Sequence, residues 1–125
     1  MTVTLHIPPA QIAPAVVRVD YDRLLACIIQ VENHSWTTAG GAYAITEGAW
    51  REVTALPYRL AKTAHVARQV AHLILARRES GLRLKDIAIT PESLATAWRW
   101  GLTGAIRRKG KSEYGQRVSN LFYDK

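Results

Sequence analysis

Residues 20–33 read DYDRLLACIIQVEN. Leu24, Leu25, Ile28, Ile29 and Val31 recur at intervals of three and four, which gathers them on one stripe of an amphipathic helix. Asp20 is placed to cap that helix, and Asn33-His34-Ser35 begins a turn after Glu32. Glu32 therefore closes an apolar helix at the negative end of its dipole. The dipole and the apolar surroundings both disfavour an ionised carboxylate. A carboxyl that keeps its proton is what a general acid needs, so Glu32 is the candidate catalytic residue. The alternative is a solvated helix-end carboxylate.

Outward from this helix, residues 33–45 are small and polar, with Gly40-Gly41 among them, and read as a loop or small hairpin. Thr46 caps a short second helix with Glu47 in its first turn, Ala49, Trp50 and Val53 inward, and Pro57 as its stop. A third helix is expected over roughly 59–79, with Gly81 as its C-cap. Thr90-Pro91-Glu92 is a helix start: a capping hydroxyl, proline at the first position and a carboxylate at the dipole's positive end. That fourth helix is expected to end near Gly101. A basic loop, residues 107–111, leads to a last helix carrying Tyr114, Val118, Leu121 and Phe122. Upstream, Val3, Leu5 and Ile7 alternate with polar residues, so residues 1–19 read as an extended arm broken by Pro8, Pro9 and Pro14. The expected fold is mainly α, a single domain over 1–125 of about five helices with a minor extended or hairpin part.

The chain has 125 residues, 48% hydrophobic and 22% charged, which suits one folded domain. Residues 1–50 carry a net −2, so residues 51–125 hold +9 of the overall +7. A basic second half suits an anionic partner, either nucleic acid or an acidic polymer such as peptidoglycan. The single cysteine, Cys27, excludes an internal disulfide and a cysteine-based zinc cluster, and its apolar neighbours mark it as a buried hydrophobe. There is no apolar run of transmembrane length. The start, MTVTLHIPP, lacks the pattern of a secretory signal, so the protein is expected to work where it is made, to leave by a route not written in it, or to be a trimmed cell-envelope protein.

Trp36, Tyr43 and Trp100 are free to meet a ligand, and aromatic faces stack on sugar rings. Trp50 and Trp98 fall on apolar stripes, which points to core packing. His65 and His72 stand two helical turns apart, too far to share an ion, and His6 and His34 have no partner at ligand spacing, so no metal and no cofactor are expected.

Three segments in register resemble the lysozyme-like superfamily, above all lytic transglycosylases of the SLT type and small phage-type lysozyme-like proteins. They are Ile28-Ile29-Gln30-Val31-Glu32-Asn33 followed by Gly40-Gly41-Ala42-Tyr43-Ala44-Ile45-Thr46 and Gly48-Ala49-Trp50; Ala97-Trp98-Arg99-Trp100-Gly101-Leu102-Thr103-Gly104; and Tyr114-Gly115-Gln116-Arg117-Val118. The resemblance covers about residues 20–123. It implies a peptidoglycan-cleaving glycosidase acting between N-acetylmuramic acid and N-acetylglucosamine, with Glu32 as acid and no second carboxylate required. Trp36, Tyr43, Trp98, Arg99 and Trp100 would then contact substrate. Hydrolase and transglycosylase both stay open; an inverting hydrolase would need a base such as Glu47 or Glu52 across the site.

The chain also departs from that pattern. Asn33 replaces Ser, Ala44 replaces Gln, Arg99-Trp100 replaces Asn-Gly and Leu102 replaces Pro. An arginine beside Glu32 would favour its ionised form, and Trp100 would narrow the groove. The second reading is accordingly an inactive lysozyme-like module that binds glycan or serves structure. The third is a small basic DNA-binding protein with helices 91–101 and 112–123 as a helix-turn-helix, disfavoured by the roughly ten-residue connection expected between them.

Overall fold

The computed structural model describes residues 18–124, which fold into five α-helices with no strand among the described residues. The extended arm expected over 1–19 lies almost wholly outside them. Helix α1 (Tyr21–Glu32) starts on Asp20, whose carboxylate accepts from the Arg23 amide at 3.2 Å. It ends on Asn33 in the left-handed conformation (φ 54°), a position that asparagine tolerates and serine does not favour. Helix α2 (Glu47–Val53) starts on Thr46, whose hydroxyl accepts from the Ala49 amide. Its Trp50 is fully buried and donates from Nε1 to the Leu56 carbonyl at 2.7 Å.

The third expected helix is corrected at both ends. Residues Tyr58–Lys62 form a separate 3-10 turn, and helix α3 (Ala64–Leu84) begins only after Thr63. Helix α3 also runs through Gly81 instead of stopping there. A Cβ at Gly81 would collide with the Leu102 side chain, so this glycine lets α3 and the following helix approach closely and does not cap anything.

Helix α4 (Pro91–Arg107) begins with a reciprocal cap: Thr90 Oγ1 accepts from the Ser93 amide at 3.0 Å, and Ser93 Oγ accepts from the Thr90 amide at 2.9 Å. Gly101 does not terminate it, as expected from sequence, but kinks it, with φ 74° and ψ 176°, a conformation that essentially only glycine adopts. Helical structure resumes from Leu102, so Arg107 of the basic run is helical and the link to α5 (Glu113–Tyr123) is residues 108–112.

Helix α4 is the axis of the core. Leu94, Ala95 and Ala97 are fully buried, with α3 on one side and α5 on the other. Helix α1 brings Leu24, Leu25, Cys27 and Ile28 to the same core, and Tyr114 and Val118 enter from α5. Small residues on α4 allow this close packing, and burying the surrounding aliphatics supplies the main stabilising term. No helix among the described residues is long and apolar enough to cross a membrane.

Candidate active site

The segment between α1 and α2 is a loop of successive turns, not a hairpin, and it is pinned from two sides. Trp98 Nε1 on α4 donates to the Tyr43 carbonyl at 3.1 Å, and the Tyr58 hydroxyl donates to the Ile45 carbonyl. Within the loop the Ile45 amide donates to the Gly40 carbonyl at 3.1 Å. These bonds hold the loop against the C-terminal end of α1, where Glu32 stands.

Between them opens a cleft of about 90 Å3, smaller than the usual small-molecule site. Glu32, the Ala44-Ile45-Thr46 end of the loop, Ala49, Ile74, Trp98 and Arg99 line it. Thus α1, the loop, α2, α3 and α4 each contribute a wall, and Glu32 is the acidic residue among them.

The Glu32 side chain is only 7% exposed. Arg99 Nη1 lies 3.7 Å from Oε1, and His34 Nε2 lies 3.8 Å from Oε2. The buried Tyr114 hydroxyl lies beside the same carboxyl without forming a hydrogen bond of normal geometry. Burial pushes the Tyr114 phenol well above its ordinary range, and the neighbouring Glu32 charge adds to this, opposed by Arg99 and Arg117.

The other candidate residues separate. Trp98 is half-buried and forms one side of the cleft, so it both packs and faces the open space. Arg99 reaches the carboxyl, as its position beside Trp98 implied. Tyr43, expected to be free for a ligand, is instead buried. Trp36 meets its ring edge-on at 5.3 Å, and its carbonyl, not its phenol, serves the site by anchoring Trp98. Trp36 itself is half-buried against that core and does not line the cleft. Trp100 does not narrow the cleft: it turns away, packing edge-on against Tyr114 at 6.1 Å with the Arg108 guanidinium 4.3 Å above its ring.

Ala44 does line the cleft, so the departure from the glutamine of the resembled loop leaves a methyl where an amide would stand. Glu47 and Glu52 are both engaged elsewhere, Glu47 with Arg51 at 3.6 Å and Glu52 with Arg78 at 3.1 Å. Sequence reasoning missed His34 and Tyr114 as neighbours of the carboxyl. His34 is two residues from Glu32, and Tyr114 opens the last of the three resembled segments, so each had a signal. Ile74 had none beyond its place on the α3 stripe.

Cys27 is buried, and that burial pushes its thiol up. Among the described residues no three His, Cys, Asp or Glu side chains are arranged to hold a metal ion. No protein-family model, curated protein or solved structure matches the chain.

Proposed function

We propose that the protein is a glycosidase that cleaves peptidoglycan, with Glu32 as the general acid. The observation that carries this reading is a shielded carboxyl on the floor of a small open cleft, flanked by one indole. In a single-carboxylate mechanism, Glu32 protonates the glycosidic oxygen as the bond to the anomeric carbon breaks. The resulting carboxylate then takes the proton of the sugar's own 6-hydroxyl as that oxygen closes a 1,6-anhydro ring. Among the described residues no second acid lines the cleft, which favours this lytic transglycosylase route over an inverting hydrolase, whose base must stand across from the acid with room for water. Trp98 supplies an apolar wall for a sugar ring, and Arg99 at the mouth meets an anionic strand.

The test is release of soluble muropeptides from purified cell walls. Glu32→Gln keeps the shape of the side chain and removes the proton, and it should lower the rate by at least about 100-fold, the usual contribution of acid–base catalysis. Full activity in that variant overturns the reading.

A second reading is favoured by one contact. Arg99 beside Glu32, together with the missing amide at Ala44, describes a lysozyme-like module that has kept its cleft and lost its chemistry. Binding of cell walls by folded protein with no released product, the same in wild type and Glu32→Gln, would establish it.

A further inference from the structure

A second hollow, of about 370 Å3, lies one helical turn along three of the helices that wall the cleft. On α2 its wall moves from Ala49 to Glu52, on α3 from Ile74 to Arg77 and Arg78, and on α4 from Trp98 and Arg99 to Leu102 and Thr103. The two spaces are therefore successive stations of one trough, although their chemistry differs. The first is walled largely by apolar groups around one carboxyl, whereas the second is dominated by guanidinium groups.

Arg78 is the unusual member. Its side chain is only 10% exposed, and a buried guanidinium is tolerated where acceptors satisfy its donors. Glu52 Oε2 accepts from Nη1 at 3.1 Å, but the buried Nε has no partner among the described residues. The same Glu52 oxygen also serves Arg77, whose Nε lies 3.8 Å away. Two guanidiniums thus share one carboxylate, which leaves an excess of positive charge at the hollow, whereas the Nε is closed off from solvent and takes no part. Arg108 over the Trp100 ring adds a third cation at the rim, and Trp100 is 38% exposed beside the hollow. None of this is needed for the packing of α3 on α4, which Gly81 and Leu102 accomplish.

We propose that this hollow is a carboxylate-binding subsite of the trough, in which Arg77 and Arg78 hold an acidic substituent of the glycan strand while Trp100 packs against it. The proposal rests on the glycan-cleaving reading of the first cleft. The planar fork of arginine matches a carboxylate with two parallel hydrogen bonds. Glu52 already sits between the two arginines in that role, so it competes with the incoming group and moderates its affinity. On a peptidoglycan strand the carboxylate has two sources, the lactyl group on the sugar and the attached peptide.

The experiment is a calorimetric titration of the full chain in the Glu32→Gln background, so that no probe is consumed. Four soluble probes separate the sources: a chitin oligosaccharide without carboxylates, a peptide-free peptidoglycan fragment, the same fragment bearing its peptide, and, as a control read separately from these three, the free acidic peptide. The acidic probes should bind more tightly than chitin. Arg77→Gln, at a side chain 63% exposed and so safe for folding, should weaken them roughly tenfold, the factor of one charge-assisted hydrogen bond, and leave chitin unchanged. Glu52→Gln should tighten them, and the acidic probe with the larger response identifies the source. An equal loss for all three probes, or no loss, overturns the subsite. If cell-wall cleavage persists in that case, the glycosidase reading stands without it. If no glycan binds but a free acidic peptide does so through Arg77, the carboxylate site stands and the glycosidase reading falls; if nothing binds, both fall.

Discussion

Glu32 has three neighbours of different kinds, and each acts on it differently. The buried body of Tyr114 removes water, His34 contributes a charge only when protonated, and Arg99 contributes one at every pH. Arg99 is 53% exposed, so its effect is limited to that of a solvent-screened pair. Replacing it with glutamine removes the cation beside Glu32 and keeps a polar side chain. Arg99→Gln should therefore change kcat by no more than about fivefold, the factor that goes with a ~1 kcal/mol screened interaction. The same change removes a contact for an anionic strand, so KM should rise as well. Steady-state kinetics on solubilised peptidoglycan separates the two effects, and a change in kcat well beyond fivefold would show that Arg99 takes part in the chemistry. The conflict between binding and chemistry at this position was legible in the sequence, because Arg99 stands where the resembled segment has asparagine. The burial of Tyr43 was not, because whether a loop tyrosine faces solvent depends on how the loop folds on itself to set Trp36 against it and on the anchor from Trp98 on a distant helix.

At the scale of elements, α4 and α5 depend on close approach at one glycine. A Cβ on Gly115 would lie 2.6 Å from the Glu92 carbonyl and would also strike the Thr96 hydroxyl. The carbonyl is backbone and cannot rotate aside, so α5 would have to move away from α4, carrying Tyr114 off Glu32. Gly115→Ala should cost about 1–3 kcal/mol in urea denaturation, the usual range for overpacking. Gly48→Ala, at a helical position with nothing within 4 Å, should be neutral or stabilising by up to about 1 kcal/mol. If the two variants behave alike, the close approach carries no energy. Which elements could be read in advance follows from the same distinction. The starts of α1, α2 and α4 were legible because Asp20, Thr46 and Thr90-Pro91 are local signals that act within one turn. The course of α3 past Gly81 and of α4 past Gly101 was not, because both glycines look like stops until Leu102 packs against the first and the chain resumes its helix after the second. The second of those misread positions, Gly101, lines the second hollow, and the first is covered by Leu102, which lines it too.

For the whole molecule, ionisation links distant parts of the fold and bounds its stability on both sides. At the acid end, His72 Nε2 lies 2.8 Å from Asp22, and this hydrogen bond, ahead of the charges of His72 and Arg68, holds the Asp22 carboxyl below its ordinary 3.8. Such a group contributes stability above its unfolded value, and the contribution is lost as pH falls through the folded one. At the alkaline end, the phenols of Tyr21, Tyr43, Tyr58 and Tyr114 are all pushed above their ordinary 10.0, with burial as the leading cause in each. Tyr21 also donates to Glu79 on α3 at 2.9 Å, and that carboxylate raises it further. The sign is opposite to that of Asp22: the stability these phenols confer is complete below the unfolded value and is lost as pH rises toward the folded ones. The hydroxyls of Tyr21 and Tyr58 tie α1 to α3 and the 3-10 turn to the loop, and the Tyr114 ring packs α5 on α4, so these three phenols ionise only as contacts between elements are lost. The melting temperature should therefore be nearly flat between about pH 5 and pH 9 and fall steeply from about pH 10 upward. Phenolate absorbance in the near ultraviolet should appear together with loss of helical circular dichroism, in one transition. Tyr21→Phe, which keeps the buried ring and removes the ionisable group, should shift that transition to higher pH. Phenolate appearing well before the helices are lost would mean that the rings titrate in place, and that the core does not close around them as one unit.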